Sequence, residues 1–135
     1  MANQWDRIVS RNNERLRLVG QESMAMLFSY AFELSPVDTG LFRNNWFASI
    51  GSPNTQTTTR VSRLAFGKTG GVRYTEALHI TTGYDIGDQI YFTNSLPYAR
   101  ALEYGHSQRM APNGIVRVAA LMWPNFVSTT IRRIR

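Results

Sequence analysis

Asp38-Thr39-Gly40 is the tripeptide with the plainest chemical precedent in this chain. Aspartic proteases carry their acid in an Asp-Thr-Gly turn, and a small chain with one copy can pair two carboxylates by dimerising. The surroundings argue against that chemistry. Pro36 precedes the turn closely, and Leu41-Phe42-Arg43 follow where a small residue is needed. The second apolar pair that would support the loop is offered only by Ser49-Ile50-Gly51. Asp38 therefore reads as an aspartate that caps its own turn or the next one. Gly67-Lys68-Thr69-Gly70-Gly71 has the lysine-threonine step of a phosphate loop but lacks its first glycine, so it reads as a flexible turn. His79 and His106 lie far apart, without the spacing of helical metal ligands, and no Gly-x-Ser-x-Gly elbow supports a hydrolase. No catalytic, cofactor-binding or metal-ligating residue is assigned.

A chain of 135 residues is the size of one domain, and 43% hydrophobic with 18% charged residues is globular usage. A single domain over residues 1–135 is expected. The absence of cysteine excludes a disulfide framework and thiolate metal sites. The first residues lack the order of a secretory signal, and no apolar run approaches the roughly 18 residues of a membrane span, so a soluble chain is expected. The net charge is +6, and every basic residue except Lys68 is arginine. Arginine pairs bidentately with carboxylates and phosphates, which favours acidic protein partners or proximity to nucleic acid. Only Arg132-Arg133-Arg135 is a tight cluster, so a basic nucleic-acid-binding domain stands as a rival reading without a DNA-binding arm.

The elements that would position these residues follow from periodicity. Residues 5–34 lack proline and repeat apolar side chains every three to four positions, which predicts a long helix. It either breaks at Gly20 and folds back, or runs unbroken for about 45 Å and overhangs a domain about 35 to 40 Å across. An overhang needs a partner. The helix must stop at Ser35-Pro36. Residues 42–50 read as a strand with Trp46, Ala48 and Ile50 on one face, and 54–71 as an edge strand or hairpin. A short helix over 74–81 and a strand over 89–93 come next. Pro97 opens a helix over 97–104, capped by Asn94 or Ser95 and ended by Gly105. Residues 114–135 form a second long helix that Pro124 kinks or splits.

Two separated stretches carry a resemblance. The first is Ser35-Pro36-Val37-Asp38-Thr39-Gly40 with Arg43. The second is Asn94-x-x-Pro97-Tyr98-Ala99, then Leu102-Glu103-x-Gly105 and Ala111-Pro112-x-Gly114. In this order they are similar to the neck or tail-completion proteins of long-tailed bacteriophages, over residues 35–120 with the first helix in keeping. The resemblance implies an α+β fold with a long N-terminal helix and a C-terminal helix packed on an antiparallel sheet of about four strands. It implies a structural, non-enzymatic protein at the head-to-tail junction, in the virion neck or tail and assembled in the host cytoplasm. It would form a ring with itself, six-fold, against connector or head-completion proteins and tail-tube or tail-terminator proteins. No membrane is involved, and viral DNA passes nearby without specific binding. A tail-terminator ring is the alternative within the same resemblance.

The family's motifs fall on Asp38, Thr39, Gly40, Arg43, Asn94, Pro97, Tyr98, Glu103 and Gly105, as structural or interface positions. Glu103 is a candidate partner for an arginine, Arg43 being the one proposed, against the alternative of a solvated helix face. The chain departs from the pattern in its polar, threonine-rich 54–60 and in Pro124.

Overall fold

The computed structural model describes residues 3–35, 41–58, 71–97, 99–103 and 114–134. Its first element, α1 (Gln4–Leu34), is one unbroken helix of 31 residues, about 46 Å long. It starts on a reciprocal cap: the Asn3 side chain accepts from the Asp6 N–H at 2.8 Å, and the Asp6 carboxylate accepts from the Asn3 N–H at 3.3 Å. It ends at Ser35, whose extended backbone is what the following proline demands. Gly20 does not break it. A Cβ there would lie 2.7 Å from Tyr84 Cε1, so the missing side chain makes room for a tyrosine ring. The next residue, Gln21, donates from Nε2 to the carbonyls of Tyr84 (2.8 Å) and Thr82 (3.2 Å) and fastens that loop to the helix.

After α1 come a short helix α2 (Leu41–Asn44) and strand β1 (Trp46–Ile50). The strand expected from residue 42 thus begins four residues later. The Asn45 N–H donates to the Phe42 carbonyl and closes a helical turn, a local bond that apolar alternation does not reveal. Helix α3 (Gly71–Thr82) is longer than expected, and β2 (Ile90–Asn94) is shifted by one residue from the expected strand. The strands pair antiparallel, Trp46 opposite Asn94, Ala48 opposite Phe92 and Ile50 opposite Ile90. The chain is therefore α+β with a two-stranded antiparallel sheet among the described residues, short of the four strands expected. Residues 53–58 carry no strand, and 59–70, where the expected hairpin continues, lie outside the described residues.

One face of the sheet meets the C-terminal half of α1 through aromatic rings. Phe92 lies between Trp46 (centroids 4.4 Å apart, 8° between planes) and Phe28 (4.3 Å, 17°), with Phe32 edge-on at 5.4 Å. Phe28, Phe32, Trp46, Phe42, Ala77, Ile115 and Ala119 belong to one buried cluster. Burying each large ring contributes on the order of 2 kcal/mol, so this cluster is the main source of stability.

Helix α4 (Ala99–Glu103) begins beyond the expected Pro97. The C-terminal segment is split rather than kinked, into α5 (Val116–Leu121) and α6 (Trp123–Ile134). Pro124 has no N–H to continue the ladder, and the Met122 N–H instead closes α5 on the Ala119 and Ala120 carbonyls. Helix α6 packs along α1 in the opposite direction rather than chiefly on the sheet. Phe126 meets Tyr30 edge-on at 5.9 Å, and Thr130 Oγ1 reaches Met26 Sδ at 3.6 Å.

Candidate functional site

Glu103, the last residue of α4, pairs with an arginine as expected, but the arginine is Arg117 and not Arg43, and Glu103 is not a solvated helix face. Its side chain is 19% exposed and caps α5. Oε2 accepts from the N–H groups of Ile115 (2.8 Å) and Val116 (2.7 Å), and Oε1 from the N–H of Arg117 (2.9 Å). These are N–H groups that a helix start leaves without partners, and a carboxylate is the best acceptor for them. Arg117 closes the clamp, donating from Nε to Oε1 at 3.0 Å and from Nη2 to the Glu103 carbonyl. Burial pushes the carboxyl pKa up, but the N–H bonds from Arg117, Ile115 and Val116 and the Arg117 side chain outweigh it and hold the group below its ordinary value.

Gly114 makes this approach possible. It sits at φ +91°, and a Cβ there would collide with the Glu103 carbonyl and lie 2.8 Å from Oε1. Glu103 of the Leu-Glu-x-Gly stretch and Gly114 of the Ala-Pro-x-Gly stretch therefore touch, which gives a physical reason for both. Gly114 and Arg117 were not among the candidate residues. Gly114 stands in the Ala-Pro-x-Gly stretch, but that the stretch meets Glu103 in space is not shown by spacing along the chain.

Arg43 turns back onto the end of α1. Its Nε donates to the Ser35 carbonyl at 3.0 Å and its Nη2 to the Glu33 carbonyl at 3.3 Å. A cation there complements the negative end of the helix dipole. Burial lowers its pKa, offset in part by the nearby Glu33 charge. Ser35 is a shared node, donating from Oγ to the Ala31 carbonyl (2.7 Å) and accepting from Trp46 Nε1 (2.9 Å). The arginine of the Ser-Pro-x-Asp-Thr-Gly-x-x-Arg stretch thus ties α2 to the end of α1, which Ser35 in turn joins to Trp46 of β1.

Asn94 does not cap α4. Its Nδ2 donates to the Phe42 carbonyl at 2.9 Å and its Oδ1 accepts from the Leu96 N–H at 3.2 Å, tying the end of β2 to α2. Fully buried Asn45, missed in the sequence, exchanges two bonds with the Thr58 backbone, at 3.0 and 2.8 Å, and holds the polar stretch after β1 against the core. Pro97 is exposed. Asp38, Thr39, Gly40, Tyr98, Gly105 and most of the glycine-rich 67–71 lie outside the described residues. Among the described residues no group of three or more His, Asp or Glu is placed to hold a metal ion, and no helix is long and apolar enough to cross a membrane.

Among the described residues, large apolar side chains are exposed at both helical ends. Every residue from 3 to 16 is exposed, including Trp5 at 74%, Ile8, Val9 and Leu16. At the α5–α6 corner Val116, Leu121 (78%) and Trp123 are exposed as well. Arg132 and Arg133 close the exposed last turn of α6. Comparison with family models, with curated proteins and with solved structures gives no match.

Proposed function

We propose that this chain is a structural assembly protein of a long-tailed phage virion, acting at the head-to-tail junction. It completes or caps the tail and joins it to the connector through ring-forming contacts, and the role needs no catalysis. The observation that carries the proposal is the first half of α1: among the described residues, 3 to 16 are all exposed, Trp5, Ile8, Val9 and Leu16 among them. Such a helix is stable in a functional state only if a partner covers it. The resemblance of the two motif stretches supplies the setting, and the Glu103–Gly114 and Arg43–Ser35 contacts supply a rigid frame for presenting that helix. The same reading carries a sheet of about four strands, two beyond β1 and β2, and a location in the virion neck or tail.

The test is to mix the purified chain with phage tails assembled without it, and with connectors, and to image both by negative stain. Density at the head-proximal end of the tail, with tails then competent to join heads, is the expected result. A ring that stops tail elongation without joining heads would move the role to tail terminator. A chain that ignores tails and connectors alike ends the assembly reading, and a steep, salt-sensitive and sequence-selective DNA affinity would replace it with the nucleic-acid one.

A further inference from the structure

Arg7, Arg11 and Arg15 follow one another at four-residue steps on α1, so their side chains form a single row with about 6 Å between neighbours. All three are exposed, and Gln4, three residues before Arg7, lies on the same face. The two acidic residues of this stretch are committed elsewhere. The Asp6 carboxylate accepts the Asn3 N–H in the helix cap, and Glu14 pairs with Arg17 at 3.8 Å. Among the described residues Arg7, Arg11 and Arg15 carry no ion pair. Packing adds a fourth cation from the last turn of α6. Ile134 shares a small cleft with Arg15, Leu16 and Val19, which brings the end of α6 level with the end of the row. Its neighbour Arg133 is exposed and lines a second cleft beside Glu22, two turns beyond Arg15 on the same side of α1. Arg133 there offsets the Glu22 charge, so the row stays cationic to its end.

From this arrangement we infer that the Arg7–Arg11–Arg15 row, continued by Arg133, binds the phosphate backbone of a nucleic acid without reading its sequence. The three arginines of α1 span about 12 Å, and one strand of a duplex places a phosphate about every 3.4 Å of axis, so the row lies along three or four successive phosphates. Arginine donates bidentately to phosphate, and Gln4 adds an amide donor of the kind that positions a backbone. An acidic protein surface has to align three carboxylates along the same line to match the row, whereas a phosphate strand repeats that line along its whole length. The row carries no aromatic side chain for a base to stack on, since Trp5 falls about 120° round the helix from Arg11. Contact is therefore with the backbone alone. The inference goes beyond the assembly reading and does not rest on it.

Fluorescence anisotropy of two labelled duplex DNAs of unrelated sequence, titrated with the full chain at several salt concentrations, tests it. Both duplexes are expected to bind alike, with log K falling against log[salt] at a slope of about −3, an affinity loss of about 60-fold between about 50 and 200 mM. Arg7→Gln, Arg11→Gln and Arg15→Gln together are expected to reduce the slope to about −1 or less, because three phosphate contacts are gone. Arg17→Gln removes a charge from the same helix but off the row, and is expected to leave the slope unchanged. Arg7, Arg11 and Arg15 are exposed and Arg17 partly so, and unchanged circular dichroism and melting show that each variant keeps its fold. Absence of binding at about 50 mM salt overturns the contact. So does a triple variant with the wild-type slope, or an Arg17→Gln variant that loses as much per charge as the triple one. A preference of more than about tenfold between the duplexes overturns the backbone-only contact. Poly-glutamate is the competitor: displacement only at a clear excess of charge is expected, and displacement at equal charge would assign the row to an acidic protein instead. Tail and connector binding by the same variants is a separate readout, so either reading can fail alone.

Discussion

Gly114 rests against Glu103 so closely that no side chain fits between them, at a backbone angle of φ +91° that disfavours any other residue. The carboxylate can then reach three consecutive N–H groups at the start of α5 and the Arg117 guanidinium together. Gly114→Ala is expected to destabilise the fold by at least about 2 kcal/mol, combining left-handed strain with loss of the cap. Urea unfolding checks this, and a midpoint within error of wild type would show that the clamp contributes nothing.

The same contact makes stability depend on acid. Because the folded-state pKa of Glu103 is lowered, the unfolded chain takes up its proton first, at about pH 4.3, while the folded chain still holds the carboxylate ionised. The contribution is therefore present above that pH and fades as pH falls through the lower, folded value. Glu103→Gln should reduce stability at pH 7 and flatten the part of the acid limb below about pH 4 that this group supplies. Parallel acid limbs for the two proteins would remove Glu103 from the account.

Gly20 in a helix interior ordinarily invites Gly→Ala stabilisation of about 1 kcal/mol. Here the added Cβ meets the Tyr84 ring at 2.7 Å and disturbs the Gln21 bonds beside it, so Gly20→Ala is expected to destabilise. In a Tyr84→Ala background the same change should become stabilising. The double-mutant cycle measured by thermal unfolding decides it, and additive effects would show that the ring and the glycine are independent.

Ser23 of α1 is wholly buried, and its hydroxyl has no hydrogen-bond partner among the described residues. Removing a buried polar atom left unpaired relieves its desolvation penalty, so Ser23→Ala should leave the fold intact and raise stability by about 1 kcal/mol. A loss of stability would mean that the hydroxyl is satisfied in solution, for instance by an ordered water.

Much of this was legible because it is periodic or local. Proline at 36 ends α1, the period of two puts Trp46, Ala48 and Ile50 on one face of β1, and the apolar repeat marks α1 and the C-terminal helices. An interruption at Pro124 followed from a missing N–H, though not whether it would kink or split the segment. The start of β1 was not legible, because Phe42 fits an apolar alternation as well as it fits α2. The roles of Glu103, Arg43 and Asn94 were not legible either. Their types pointed to ion pairing and capping, but their partners are chosen by segments that meet only in space: Glu103 takes Arg117, Arg43 takes α1 carbonyls, and Asn94 takes the Phe42 carbonyl.

The amino-acid sequence by itself determined that this chain makes a long helical first segment, two strands with aromatic residues and a helical C-terminal segment, since helix and strand periods and proline geometry act over a few residues. Only the tertiary structure decided whether Gly20 bends α1, because the answer lies in Tyr84, sixty-four residues away and packed on the glycine. It likewise decided which half of α1 packs: α6 lies along the second half, through Tyr30 and Met26, while residues 3–16 are exposed. Both halves carry the same apolar spacing, and what separates them is the reach of a neighbouring helix, a property of packing and not of pattern.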